Sequence, residues 1–98
     1  MKAVELLHRR IIYSEEAFAE LVLWQLPASL AGSSHAYKYR LAYVIRGVCV
    51  LRYDNESGKG DHRHVGRRQF AYMFEGVEAL IAAFQNDIER INHENRDA

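Results

Sequence analysis

The order of apolar and polar residues predicts a series of β-strands followed by one helix. The strand segments are rich in β-branched and aromatic residues and are separated by Gly, Pro or Ser. Residues 17–26 are mostly apolar on both alternating sides, as is typical of a central strand, so Trp24 is interpreted as a core residue. The predicted strands are residues 6–13, 17–26, 35–45 and 48–54, with a short strand or extended arm at 69–74.

The hairpin around Gly47 determines which side chains share a face of the sheet. We expect a three-residue loop that ends at Gly47, with this glycine in the left-handed conformation. In that register Arg40 lies opposite Arg52. Lys38 lies opposite Asp54, and all four point away from the core. A two-residue loop mixes the two faces and is disfavoured. The expected core face carries Tyr39, Leu41, Tyr43, Cys49, Leu51 and Tyr53.

A C-terminal helix is the clearest predicted element, because apolar residues recur at helical spacing from residue 77 to residue 91. Gly76 is the expected N-cap, and the polar tail of residues 92–98 is expected to fray. Phe84 and Ile88 are expected to face the sheet. The predicted fold class is α+β: an antiparallel β-meander of about four to five strands with a C-terminal α-helix packed on one face, in a single domain of residues 1–98.

The size and composition limit the class of protein. A chain of 98 residues buries only ~60–65% of its unfolded surface, which leaves room for a homodimer or a partner protein. No apolar run approaches the ~18 residues of a membrane span, and the N-terminus lacks the apolar core of a signal peptide. The single cysteine, Cys49, has no partner for an internal disulfide and is interpreted as a core thiol. We therefore expect a cytoplasmic protein without a membrane partner.

The formal net charge of zero conceals an uneven distribution. Residues 1–33 carry a net charge of −1, residues 34–68 a net charge of +5, and residues 69–98 a net charge of −4. The basic middle third also contains three of the five histidines. A basic region within a neutral protein predicts a localised anion site. The alternative is a set of solvated strand edges, on which Lys and Arg oppose aggregation.

The densest chemistry lies in residues 53–64, which read as a polar loop with carboxylates, cations and two imidazoles. Cleavage of RNA without a metal needs a base for the 2′-hydroxyl, an acid for the departing 5′-oxygen, and cations for the charge on phosphorus. His62 and His64 suit the proton transfers, since imidazoles titrate near neutrality. Asp61 or Asp54 would orient an imidazole. The candidate catalytic residues are His62, His64, Lys59, Arg40 and Asp61, and the candidate substrate-binding residues are Lys38, Arg52, Asp54, Asn55, Glu56 and Arg63.

Other interpretations of the same residues remain open. The loop also fits a polar surface segment with ordinary ion pairs. His62 and His64 point the same way in an extended backbone and would ligate a metal if His35 or Asp61 completed the set, since zinc needs at least three protein ligands. We expect neither a metal nor a cofactor. Tyr37 remains a candidate platform for stacking of a base. The other tyrosines of the hairpin, Tyr39, Tyr43 and Tyr53, are expected on the core face.

Several segments resemble the small bacterial and archaeal TumE-like family over nearly the whole chain. They are Trp24–Pro27, His35–Leu41, Tyr53–His64, Tyr72–Phe74 and Val77–Phe84. The family motif corresponds here to Lys38, Arg40, Asp54, Asn55, Glu56, Lys59, Asp61, His62 and His64, while Gly76 replaces a serine-like cap. The resemblance implies a toxin of a type II toxin–antitoxin module, encoded beside an antitoxin with a helix-turn-helix domain. It implies no catalytic mechanism.

Together, the residues and the resemblance predict a toxin that acts on RNA, with metal-independent ribonuclease activity as the preferred mechanism. Two alternatives remain. One is a non-catalytic module that binds nucleic acid or the ribosome. The other is a metal-binding protein that uses His62 and His64.

Overall fold

A computed structural model describes residues 2–97 of the protein as six antiparallel strands and one helix. The strand order in the sheet follows the order in the chain, so each strand pairs with its sequence neighbours. The predicted α+β meander with a C-terminal helix is therefore confirmed. The elements are β1 (Val4–Ile12), β2 (Ala17–Gln25), β3 (Tyr37–Ile45), β4 (Val48–Glu56), β5 (Gly60–Val65), β6 (Arg68–Ala71) and α1 (Val77–Asp97).

The sheet has six strands rather than the predicted four to five, because most of the expected polar loop is strand. β4 extends to Glu56 and β5 begins at Gly60, so only residues 57–59 form the turn between them. The side chains of β5 are half-buried throughout. β5 lies next to the edge strand β6, and its polar side chains reach water on both faces of the sheet. Its sequence therefore lacks the alternation of apolar and polar residues that identifies a strand.

The hairpin register differs from the prediction by two residues. Ile45 pairs with Val48 across a two-residue turn, in which Arg46 and Gly47 both have positive φ (51° and 78°), as in a type I′ turn. The register then shifts, and Val50 is left without a partner on β3. The predicted three-residue loop is wrong, and a turn followed by a bulge replaces it.

The shift of two residues preserves which side chains share a face, because side chains alternate with a period of two. Arg40 lies opposite Asp54 rather than Arg52, yet both remain on the face away from the core. Cys49 is the exception. It precedes the bulge, pairs with Val44 and is half-buried on the face away from the helix, so the predicted core thiol is wrong.

Helix α1 covers one face of the sheet and closes the core. Phe84 and Ile88 are each 1% exposed and belong to the same buried cluster as Leu41 and Leu51, which confirms the predicted packing. The carbonyl of Gly76 accepts the first helical hydrogen bond from the amide of Leu80 at 3.0 Å, as expected of an N-cap. The predicted core tyrosines are also buried, namely Tyr39, Tyr43 and Tyr53.

The helix continues beyond its predicted end, through the segment expected to fray. It reaches Asp97, and the hydroxyl of Tyr43 donates a hydrogen bond to Oδ1 of Asn92 at 2.5 Å. Met1 and Ala98, at the ends of the predicted domain, lie outside the described residues. No helix within residues 2–97 is both long enough and apolar enough to cross a membrane.

The face of the sheet opposite α1 carries the candidate site, and we call it the free face. Its central part is built from every second residue of β2, β3, β4 and β5. These residues are Val22, Trp24, Lys38, Arg40, Arg52, Asp54, Glu56, His62 and His64.

Candidate functional site

Antiparallel pairing aligns the candidate residues across four neighbouring strands. Val22 on β2 is opposite Arg40 on β3, and Arg40 is opposite Asp54 on β4. Asp54 is in turn opposite His62 on β5. Paired residues of an antiparallel sheet share a face, and neighbouring strands are only about 4.8 Å apart. The sequence-distant residues of this row therefore form one continuous surface.

An open cleft of about 410 Å³ lies on the free face. Its volume falls in the range of small-molecule sites. The cleft combines an apolar wall from β2 with charged groups from β3 and β4. Its lining residues are Val22, Trp24, Lys38, Tyr39, Arg40, Arg52, Asp54 and Glu56.

Trp24 lines this cleft and is half-buried, so the prediction that it belongs to the core is wrong. The other side of β2 is the buried one, with Leu21 and Leu23 against the core beneath the helix. Sequence reasoning missed Trp24 because β2 is apolar on both sides, and the alternation alone does not tell which side meets the helix. The signal that would have found it is its register opposite Lys38 on the polar face of β3.

The cations of the cleft differ in how fully they are paired. Lys38 donates a hydrogen bond from Nζ to the backbone carbonyl of Asn55, which fixes its ammonium at the rim. Arg40 is exposed and forms no hydrogen bond or ion pair with any residue from 2 to 95, the part of the chain whose side chains are described. A guanidinium presents five N–H donors in a fixed fork that fits phosphate. Arg40 is therefore the cation of the cleft that is ready to bind an anion.

Arg52, Asp54 and His64 form a cluster beside the cleft. Nη2 of Arg52 lies 3.2 Å from Nε2 of His64, and Oδ1 of Asp54 lies 3.6 Å from the same nitrogen. Nε of Arg52 is 2.9 Å from Oδ2 of Asp54, but its N–H is not aligned with the carboxylate, so this contact is an ion pair rather than a hydrogen bond. Because Nε2 of His64 accepts from a guanidinium, it carries no proton in this arrangement.

His62 has the opposite hydrogen-bonding state at its Nε2. This nitrogen donates to the backbone carbonyl of Lys59 at 2.7 Å, and Nδ1 accepts from the side-chain amide of Gln69 at 3.1 Å. The ring centroids of His62 and His64 are 6.4 Å apart on the same face. The expectation that the two imidazoles point the same way is confirmed. In this arrangement both rings are neutral, and one Nε2 is an acceptor while the other is a donor.

Lys59 lies at the tip of the turn between β4 and β5. Its side chain is 71% exposed and lies 3.4 Å from the carboxylate of Glu56, an ion pair that contributes little to stability in water. The turn is held to the loop between β2 and β3 by a hydrogen bond of 2.6 Å from the amide of Gly58 to the carbonyl of Ala31. The fold therefore fixes the backbone of the turn while the Lys59 ammonium is exposed to solvent.

Three of the predicted site residues, Asn55, Asp61 and Arg63, face the helix side of the sheet instead of the free face. Oδ2 of Asp61 accepts hydrogen bonds from Nε2 of His35 at 2.8 Å and from the hydroxyl of Tyr39 at 2.6 Å. Asp54, rather than Asp61, is therefore the carboxylate next to a free-face imidazole. Side chains alternate along a strand, so the neighbours of His62 must point away from it.

Asn55 and Arg63 also have structural partners on the helix side. Asn55 is 1% exposed, and its side chain accepts from the amide of Tyr39 at 3.0 Å and donates to the carbonyl of Tyr37 at 2.7 Å. Arg63 donates from Nε to Asp87 of the helix at 2.8 Å. Asn55 thus joins β4 to β3, Arg63 joins β5 to the helix, and neither side chain reaches the cleft.

Electrostatic shifts are concentrated in these structural clusters. Burial raises the pKa of Tyr39, and its hydrogen bond to Asp61 raises the pKa further. Burial alone would raise the pKa of Asp87, but the hydrogen bonds from Arg63 and Tyr53 and the nearby positive charges outweigh this effect and lower the pKa of Asp87. The clusters on the helix side therefore contribute to folding.

A metal site was the alternative use of the two histidines. Among residues 2–95, whose side chains the structure describes, no three His, Cys, Asp or Glu are grouped so that they could hold a metal ion. His35 was expected to complete such a set with His62 and His64. It lies on the helix side, where its ring stacks on Phe74 with centroids 3.9 Å apart. The proposed ligands thus lie on opposite faces of the sheet.

Comparison with known proteins identifies the family of the chain. The model of the family described as Toxin TumE matches residues 2–92. The chain belongs to the TumE family. This match covers nearly the whole sequence and includes every residue of the free face. The family name indicates a toxin, which is consistent with a toxin–antitoxin module. No curated protein and no solved structure matches the chain.

Proposed function

We propose that this TumE family member acts on RNA as the toxin of a toxin–antitoxin module, and that it cleaves RNA at the free face without a metal. The observation that carries the proposal is the alignment of an unpaired Arg40 with two histidines of opposite hydrogen-bonding state on one face of the sheet. Phosphodiester cleavage requires these groups: a proton acceptor, a proton donor and a cation for the phosphate.

In the proposed reaction His64 is the base and His62 is the acid. His64 removes the proton of a ribose 2′-hydroxyl through Nε2, and the 2′-oxygen attacks the adjacent phosphorus. The bond from phosphorus to the 5′-oxygen breaks. His62, as the imidazolium with Nδ1 also protonated, supplies the proton of Nε2 to this oxygen and becomes neutral. The products are a 2′,3′-cyclic phosphate and a free 5′-hydroxyl. Asp54 lies beside His64, where it stabilises the imidazolium that forms.

The cations of the free face provide the electrostatic part of catalysis. Negative charge builds on the phosphate oxygens as the 2′-oxygen attacks, and fixed positive charges lower the free energy of that state. Arg40 and Arg52 hold the phosphate, and Lys38 and Lys59 attract the strand from the rim of the cleft. Glu56, also in the cleft, partly offsets this charge and is paired with Lys59.

Membership in a toxin family makes an antitoxin the natural partner. We propose that the antitoxin carries a helix-turn-helix domain and that it covers the free face in the cytoplasm. Helix α1 and the sheet form one domain that presents this face as a single unit.

The proposal is tested by RNA cleavage in the presence of EDTA and by growth arrest on expression. His62→Ala and His64→Ala should each lower activity by about 10²–10⁴-fold, the usual contribution of a positioned proton-transfer group. The matched control is His8→Ala. His8 lies on the same face in the same row of paired residues, opposite Val22, but is about 19 Å from His62. Circular dichroism checks that each variant is folded.

The pH–rate profile of the parent should be bell-shaped, because one histidine must be neutral and the other protonated. Activity of both folded histidine variants equal to that of the parent would rule out the proton-transfer mechanism.

A second candidate function is non-catalytic binding of RNA or the ribosome. It is favoured by the two hydrogen bonds of His62, which already occupy both ring nitrogens with Lys59 and Gln69. In this case His62 serves to hold the turn between β4 and β5, and the toxin blocks its target by occupying it. RNA binding without cleavage products, together with toxicity of the histidine variants, would select this function.

A further inference from the structure

Trp24 is a large aromatic residue that the fold leaves half-exposed at the wall of the cleft. Lys38 lies opposite it on β3, and Arg40 follows two residues later on the same face. Among the side chains of residues 2–95 the indole has no stacking or cationic partner, and its N–H donates to no group there. Both the flat face and the polar edge of the ring are therefore available to a ligand.

We propose that Trp24 is the platform on which an unpaired base of single-stranded RNA stacks while Arg40 holds a neighbouring phosphate. This inference rests on the proposed function and names its substrate class. Nucleic-acid sites of this kind combine cations that follow the backbone with aromatic rings that stack on bases. A duplex keeps its bases stacked inside, so it offers no free base face to the indole.

The spacing of the strands defines how the RNA lies. Trp24 on β2 and the histidines on β5 are separated by three strand spacings, about 14 Å. Arg40 lies between them, one strand from Trp24 and two strands from His62. Trp24 lies two residues along β2 from Val22, which begins the row that ends at His62. A single strand that crosses the sheet obliquely therefore contacts Trp24 with one base and reaches the histidines with a phosphodiester further along. Trp24 positions the substrate and takes no part in the chemistry.

The experiment uses the fluorescence of Trp24, which is the only tryptophan in the sequence. The full-length protein is titrated with a short single-stranded 2′-O-methyl RNA, which lacks the nucleophile and is not cleaved. Stacking should produce saturable quenching of the indole fluorescence. An RNA duplex of the same length and the polyanion heparin should bind through charge without this quenching.

Variants measure the contribution of stacking to affinity. Trp24→Leu should weaken binding of a labelled single strand, followed by fluorescence anisotropy, by about 5- to 150-fold. Trp24→Phe should retain part of the affinity. The matched control is Phe18→Leu, which removes an aromatic ring from the same side of β2 about 20 Å away, where Arg10 already covers the ring. This control should bind RNA like the parent.

The outcomes separate this inference from the proposed function. If the single strand binds without quenching, or if folded Trp24→Leu binds as tightly as the parent, stacking is wrong and RNA binding still stands. Equal quenching by heparin identifies a general anion site and also overturns the inference. If the parent binds no RNA, the proposed function fails and this inference fails with it. The fluorescence of the parent decides the question even if Trp24→Leu does not fold.

Discussion

Asp87 joins the helix to the sheet through two polar contacts and makes a third within the helix. Its Oδ2 accepts hydrogen bonds from the hydroxyl of Tyr53 at 2.5 Å and from Nε of Arg63 at 2.8 Å, and its Oδ1 accepts from Arg90. A buried carboxylate is stable only when such partners compensate for its lost hydration. The pKa of Asp87 is lowered, because its partners stabilise the charged carboxylate by more than burial destabilises it.

Asp87→Asn should destabilise the protein by about 1.5–3 kcal/mol at pH 7, the usual cost of losing hydrogen bonds to a charged group. Because the folded-state pKa of Asp87 is lowered, its stabilisation is present above the unfolded pKa of about 3.9 and is lost as the pH falls through the folded value. The difference in unfolding free energy between parent and variant should therefore narrow below pH 4. Urea unfolding at pH 7 and pH 3 measures it.

Glu89→Gln provides the control, because Glu89 is exposed on the same helix. If the unfolding free energies of the parent and Asp87→Asn differ by the same amount at both pH values, the charge of the carboxylate contributes nothing to stability.

At the same scale, sequence reasoning located the site residues only in part. It placed His62 and His64 on one face but also grouped them with Asp61, which alternation sends to the other side. The opposite orientation of Asp61 follows from the two-residue period of a strand and could have been predicted from the sequence. The cluster of Asp54 with Arg52 and His64 could not, because it depends on the register between β4 and β5.

At the scale of elements, the helix α1 was predictable because its apolar spacing is unambiguous, whereas the β3–β4 hairpin was predictable only in its faces. The unpaired residue Val50 is apolar like its neighbours, so nothing in the sequence marks it as a bulge. β5 was not predicted, because its polar composition resembles that of a loop. Register and strand number thus depended on backbone geometry that residue types do not encode.

Phe84→Ala should reduce the unfolding free energy by about 3–5 kcal/mol, because the ring is 1% exposed and its removal leaves a cavity between the helix and the sheet. The ring packs edge-on against Tyr53 with centroids 6.0 Å apart. Chemical denaturation followed by circular dichroism measures the change. Gln85→Ala, on the exposed side of the same turn, should stay within about 0.5 kcal/mol of the parent. Parent-like stability of Phe84→Ala would mean that the helix packs elsewhere.

For the molecule as a whole, the basic excess of residues 34–68 is divided between two sides of the sheet. Arg63 is neutralised by Asp87 beneath the helix, while Arg46 at a hairpin turn is paired with Glu16. Arg40 remains without an ionic partner among residues 2–95 and lies in the cleft. An antitoxin that presents carboxylates to the free face would therefore contact Lys38, Arg40 and Lys59, but not Arg63.

Arg40→Ala should weaken the complex with the cognate antitoxin by about 30-fold, or about 2 kcal/mol, because a carboxylate buried at the interface loses its partner. Isothermal titration calorimetry measures the affinity. Arg9→Ala is the control, since Arg9 lies on the β1 edge of the helix side, opposite Leu21. Unchanged affinity of Arg40→Ala would exclude the free face as the docking surface.

The agreement between strand order and chain order has a consequence for the order in which the protein folds during synthesis. During synthesis each new strand can pair with the one made just before it, so the residues of the free face come together once β5 has emerged. The apolar side of the sheet stays in water until residues 77–97 leave the ribosome and cover it. Exposure of this apolar face to water costs free energy, which is regained when the helix buries it. We therefore expect the fold to be complete only when this last helix docks on the sheet.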